Sequence, residues 1–263
     1  MIRRGLLAAA LAALVATFAP DADAFEPSST GVVVVHGKWG RPGDQFIGQF
    51  AQRLQAAGFM VEQPDMPWSG TRLYDRPYDA AMDDIDAAVQ RLRARGAAKI
   101  VVAGHSLGGS GALKYATLGK PVDAFVLIDP AHFPDSPFSY QRAAESITRA
   151  QAMVAAGHGE ETGSFIDLNS DDRSRMLTFT AAIYMSYYAS NGPAAMSVFA
   201  PNTGPAPILW IAGSFDQATR AFERIAWGRI AARTPKTRID ISAHHMDAPV
   251  VGAAPIIEWL KSR

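Results

Sequence analysis

Short apolar runs alternate with amphipathic stretches along most of this chain. "GVVVVH" (31–36) is apolar and β-branched up to its histidine, the pattern of a strand buried on both faces of a parallel sheet. Pro42 then opens a predicted helix whose Phe46, Phe50, Leu54 and Ala57 share one face. "FMVEQP" (59–64) reads as a second, short strand. Met82, Ile85, Val89 and Leu92 fall at the 3-4 spacing of a helix, which Gly96 ends. "KIVVAG" (99–104) predicts a third strand, a helix follows Ser106 to about Leu118, and "AFVLID" (124–129) predicts a fourth strand. Further on come the strand "APILWIAG" (206–213), a helix around 218–232, the strand "TRIDIS" (237–242) and a last helix around 254–261.

Strands alternating with helices imply an α/β fold: a mostly parallel central sheet with helices on both faces. The alternation breaks once. Between about 131 and 204 no segment has a strand pattern, and helical stretches flank the polar run "GHGEETGSFIDLNSDDRSR". The simplest expectation is a helical cap, inserted between two sheet strands and folded over one end of the sheet. No internal repeat interrupts this organisation.

The first two dozen residues have a different character. Arg3 and Arg4 precede the apolar run "GLLAAALAALVATFA", and Ala22-Asp23-Ala24 offers an A-x-A cleavage site. Residues 1–24 therefore read as a secretory signal peptide cut before Phe25. The expected product is exported, periplasmic or secreted, with no stable membrane anchor after cleavage. Lys plus Arg and Asp plus Glu each number 25, and the leader removes two of each, so the net charge stays zero. A neutral chain has no basic excess to attract nucleic acid or anionic lipid. The absence of cysteine excludes disulfides, thiolate metal sites and a cysteine nucleophile, so stability rests on the core.

Candidate chemistry begins at Gly104-His105-Ser106-Leu107-Gly108, a Gly-x-Ser-x-Gly pattern. Ordinary glycine and serine frequencies produce such a pattern by chance in roughly one chain in ten of this length. Its setting is more specific: an apolar strand before, a helix after. A sharp strand-to-helix turn leaves no room for side chains at 104 and 108, and it lifts the serine hydroxyl above the sheet in a strained conformation. A serine acting only as a helix N-cap needs no such glycine pair.

With these residues the chain resembles the α/β-hydrolase superfamily over essentially all of 25–263. The resemblance implies a serine nucleophile at Ser106 and a histidine base after the last strand. There "ISAHHMDAP" offers two, and the family pattern aligns with His245 rather than His244. For the acid that orients the histidine it points to Asp216 in "WIAGSFDQAT". Asp129 in "LIDPAHF" holds a competing position used by some lipases of the superfamily. His36-Gly37 matches the family's HG-x segment, so the oxyanion hole is expected from the backbone N–H groups of Lys38 and Leu107.

This arrangement implies acyl transfer: attack on an ester, thioester or amide carbonyl, an acyl-enzyme, then water. The leading expectation is an exported carboxylesterase acting on a small-molecule ester without cofactor or metal. Amidases, peptidases and lipases would use the same residues, and a binding protein on the same scaffold would retain the fold alone. The aromatic and Met-rich segment "FTAAIYMSYYASNGPAAMSVFA" and the loop "MPWSGTRLYDRPY" are the expected pocket walls, with Trp39, Trp68, Tyr184 and Tyr187 as substrate contacts and Met185, Tyr188 and Met196 as further candidates.

Overall fold

The structure is a computed structural model that describes residues 24–169 and 173–263. Of the leader expected at 1–24, only Ala24 falls among them. Six strands form one sheet: β1 (Thr30–Val35), β2 (Met60–Glu62), β3 (Lys99–His105), β4 (Ala124–Ile128), β7 (Ile208–Gly213) and β8 (Lys236–Ile241), in the order β2-β1-β3-β4-β7-β8. Every pairing in it is parallel.

Alternation along each strand divides the core in two. Val33 and Val35 of β1 join one apolar cluster, and Val32 and Val34 join the other. The first face is covered by α2 (Ala81–Ala94), α3 (Leu107–Tyr115) and α7 (Gln217–Ile225), through side chains such as Met82, Ile85, Leu113 and Phe222. The second is covered by α1 (Gln45–Ala56), α8 (Ala248–Val251) and α9 (Ala253–Lys261), through Phe50, Leu54, Ile256 and Leu260. Strands buried on both faces must be apolar throughout, which is why β1, β3, β4 and β7 are legible as unbroken apolar runs. The helix expected from Pro42 starts later, at Gln45, because Pro42 and Gly43 form an exposed turn.

The insertion between β4 and β7 differs from the expected all-helical cap. It carries α4 (Pro137–Ala155), then β5 (Thr162–Leu168) and β6 (Ser174–Thr180), then α5 (Ala181–Tyr188) and α6 (Met196–Phe199). Strands β5 and β6 pair antiparallel, from Thr162 opposite Thr180 to Leu168 opposite Ser174. This hairpin escapes a periodicity reading because most of its residues are exposed or half-buried. Only Phe165, Asp167, Leu168 and Phe179 are buried, too few to print an alternation. Among the described residues no helix is long and apolar enough to cross a membrane.

Candidate active site

The turn from β3 into α3 is built on two close approaches. A Cβ at Gly104 would lie 2.0 Å from the Gly108 carbonyl oxygen, and one at Gly108 would lie 2.3 Å from that of Val35. Neither position tolerates a side chain, so the chain reverses direction within five residues. Ser106 sits at the apex with φ 56° and ψ −124°, and its side chain does not cap the helix. A non-glycine residue held at positive φ costs about 1–3 kcal/mol and needs surrounding structure to hold it. That structure is present: the Ser106 N–H donates to the Ile128 carbonyl at 3.1 Å, and its carbonyl accepts from Ser110 and Ala131 N–H groups.

Loop 36–40, at the end of β1, abuts the serine. A Cβ on Gly37 would stand 3.0 Å from that of Ser106. His36 is buried and neutral: burial lowers its pKa, its Nε2 accepts from the Met66 N–H at 3.1 Å, and its Nδ1–H donates to the Gly37 carbonyl at 2.8 Å. Lys38 follows with a side chain that turns into the protein. Its ammonium donates to Asp167 Oδ1 at 2.7 Å, to the Leu168 carbonyl at 2.6 Å and to the Tyr188 hydroxyl at 3.1 Å. Asp167 also accepts from Trp39 Nε1 at 2.6 Å, Tyr74 at 2.7 Å and Tyr188 at 2.5 Å. Burial alone would raise this carboxyl, but Lys38 and the converging donors hold it below the ordinary carboxylate range. One buried carboxylate thus ties the cap hairpin to the loop beside Ser106.

Asp216 and His245 meet on the other side. Asp216 follows β7 and opens α7, where its Oδ1 accepts from the Ala218 N–H at 2.9 Å. Its Oδ2 lies 2.6 Å from His245 Nδ1, in the loop after β8. Of the two candidate carboxylates this is the one in contact with the histidine. Asp129, fully buried at the end of β4 with φ 38°, spends Oδ1 on the Gly213 N–H (2.8 Å) and the Thr219 hydroxyl (3.0 Å). Its Oδ2 has no hydrogen-bond partner, and burial pushes its carboxyl up to about 6. Of the adjacent histidines, His244 is exposed with its ring against Phe215, while His245 lines the same cleft as Ser106.

Asp129, Asp216 and His245 bring ligand atoms within 4.8 Å of one another, the only such trio among the described residues. The 2.6 Å between Nδ1 and Oδ2 is a hydrogen-bond distance, shorter than two ligands of one zinc ion would keep at bond lengths of about 2.0 Å in a tetrahedron.

His105 joins the site with no signal of its own in the sequence. It is buried and neutral, its pKa driven down to about 3, chiefly by burial. Its Nε2–H donates to the His245 carbonyl at 2.7 Å, and the two rings stand 4.8 Å apart. Asp167 has as its only signal in the sequence an acid set among apolar residues in "FIDL".

The cleft over Ser106 has a volume of about 430 Å³, within the usual range for small-molecule sites, and includes Trp39, Phe46, Ile47, Arg175 and Met246. Trp39 lines the cleft, half-buried, with the Arg175 guanidinium 4.3 Å from its ring centre. Trp68, Tyr184 and Tyr187 do not line this cleft, which corrects the expectation that they contact substrate. Each is fully buried. Trp68 donates its indole N–H to the His36 carbonyl at 3.0 Å, Tyr184 stacks between Phe165 and Tyr188, and Tyr187 packs edge-on to Tyr74 and Tyr78. Large aromatic surfaces are worth more when buried in a core than when left lining a wet cleft. Met196 is buried too.

Solved structures share this architecture. The Paleococcus ferrophilus monoacylglycerol lipase superposes with a TM-score of 0.62 at 23% identity, covering 90% of this chain and 95% of that one. A thermostable carboxyl esterase from Bacillus coagulans gives 0.61 at 15% identity, covering 91% and 90%. Est1E from Butyrivibrio proteoclasticus, with ferulic acid bound, gives 0.56 at 18% identity, covering 90% and 89%. No curated protein matches the sequence. The family model described as "Alpha/beta hydrolase family" matches residues 32–254, from the first valines of β1 into α9, and the chain belongs to that family.

Proposed function

We propose that this chain is a serine esterase. Ser106 Oγ attacks the ester carbonyl as His245 takes its proton. Asp216 holds the imidazole in the tautomer that leaves Nε2 free to accept, and it stabilises the imidazolium. The N–H groups of Lys38 and Leu107 receive the oxyanion. Collapse expels the alcohol, which takes the proton from His245. Water, activated by the same histidine, then releases the acid and restores Ser106. No cofactor enters this sequence.

The observation that carries the reading is the 2.6 Å contact of Asp216 with His245, which lines the same cleft as a serine at strained, positive φ. That the superposed structures include a monoacylglycerol lipase and a carboxyl esterase favours esters over amides. The test is a fluorophosphonate probe followed by mass spectrometry, with matched ester and anilide substrates alongside. An adduct on Ser106 with ester turnover well above anilide turnover is expected. No adduct, or one on another serine, refutes the assignment. The leader belongs to the same proposal: intact mass of the exported protein should correspond to a start at Phe25.

A further inference from the structure

Two cavities of unequal size meet at Ser106. The larger, of about 430 Å³, includes His245, Trp39, Phe46 and Ile47. The smaller, of about 20 Å³, is lined by Leu107, Ala131, His132, Leu168 and Asn169 together with Lys38 and Ser106. A single water needs about 10–15 Å³, so the smaller chamber suits a short group rather than a long chain. His245 borders the larger cavity and not the smaller.

This difference orients an ester. Resting on the esterase reading above, the leaving oxygen must face His245, which hands it the proton, so the alcohol portion occupies the larger cavity. The carbonyl oxygen turns to the Lys38 and Leu107 N–H groups. The acyl substituent then points to the smaller chamber, which Ser106 also lines. We propose that the enzyme cleaves esters of a short acyl group, acetyl or propionyl, with a larger and partly apolar alcohol.

The walls of the chamber do not yield easily. Lys38 is held by Asp167, Tyr188 and the Leu168 carbonyl. The Leu168 N–H donates to the Tyr188 hydroxyl at 2.7 Å. His132 donates its Nε2–H to the Tyr187 carbonyl at 2.8 Å, and the Ala131 N–H donates to the Ser106 carbonyl at 3.1 Å. Widening the chamber means breaking these buried hydrogen bonds, which are costly to leave unmade.

The experiment is a chain-length series of p-nitrophenyl acetate, propionate, butyrate and octanoate with the wild-type protein, with 1-naphthyl acetate as the bulkier alcohol. Misfit of a single methylene is worth about 10–200-fold in discrimination, so kcat/KM should fall by at least about a hundredfold from acetate to octanoate. The naphthyl acetate should stay within about tenfold of p-nitrophenyl acetate. His132→Gly removes one wall at a backbone of φ 89°, which glycine adopts freely, and should raise the butyrate-to-acetate ratio about tenfold or more. Leu168→Ala trims a second wall and gives the same readout if the glycine variant does not fold. Octanoate turnover within tenfold of acetate overturns the inference while leaving the esterase intact. A folded wall variant with an unchanged ratio also overturns it. No turnover of any ester and no fluorophosphonate adduct on Ser106 defeats the esterase reading itself, and the inference with it.

Discussion

Lys38 and Asp167, 129 positions apart, form a 2.7 Å ion pair buried at both ends, with side chains 3% and 0% exposed. Lys38 belongs to the loop after β1 and Asp167 to the cap hairpin, so the pair fastens the cap to the edge of the cleft. Removing one partner from such a pair strands a buried charge and costs about 3–5 kcal/mol, whereas replacing both with apolar groups is often near neutral. Asp167→Leu is therefore expected to be severely destabilised and Lys38→Met with Asp167→Leu to recover part of the loss, because Trp39, Tyr74 and Tyr188 still lose their acceptor. Urea unfolding of the single and double variants reads this directly, and strict additivity would contradict it.

The two acids near His245 should separate in kinetics. Asp216→Asn keeps the shape of the side chain but favours the wrong histidine tautomer, a change worth about ten-thousand-fold in the serine triad. Asp129→Asn leaves the 2.6 Å contact between His245 and Asp216 in place and should lower ester turnover by less than about tenfold. Comparable losses at both positions would mean that Asp129 shares the role of Asp216.

Asp129 should instead declare itself in stability. Its carboxyl rises from 3.8 to about 6 on folding, chiefly through burial, so the folded protein binds that proton more tightly than the unfolded chain. Stability from this group is complete below pH 4 and is lost as pH climbs through 6. Asp129→Asn removes the penalty, so its melting temperature relative to wild type should rise between pH 4 and pH 8. Melting curves whose difference is flat across that range would show the buried carboxyl to be unshifted.

The histidines sort by what they touch. His245→Ala should reduce turnover roughly a thousandfold to a millionfold, in line with loss of a base that acts as a unit with the nucleophile. His244→Ala, whose ring rests on Phe215, should cost less than about tenfold. His105→Leu deletes a donor to the His245 backbone and should lower kcat by about 10–100-fold with KM little changed, since a lost buried hydrogen bond is worth about 1–3 kcal/mol. His105 is already neutral well below pH 5, so the pH profile of the variant should keep the wild-type limbs. A displaced limb would assign His105 a titrating role.

By itself the sequence determined whatever depends on local spacing. Unbroken apolar runs had to be two-faced strands, because only a parallel sheet covered on both sides buries them. The glycines at 104 and 108 marked a turn where two backbones almost touch, and Ser106 had to be at its apex. Family order made Asp216 and His245 nameable, and Asp129 and His244 stayed beside them as rivals. Tertiary structure decided the rest. Asp129 and Asp216 have the same local setting after a strand, and only the adjacency of β4, β7 and β8 directs Oδ2 of Asp216 to His245 while Asp129 turns to Gly213 and Thr219. Aromatic composition does not tell a cleft wall from a core, and only the packing puts Trp68, Tyr184 and Tyr187 in the core. The hairpin of β5 and β6 left no periodic trace, because most of its residues are exposed or half-buried. Asp167 could not be read at all: a charge can be buried only where the fold collects its donors, and here they come from positions 38, 39, 74 and 188.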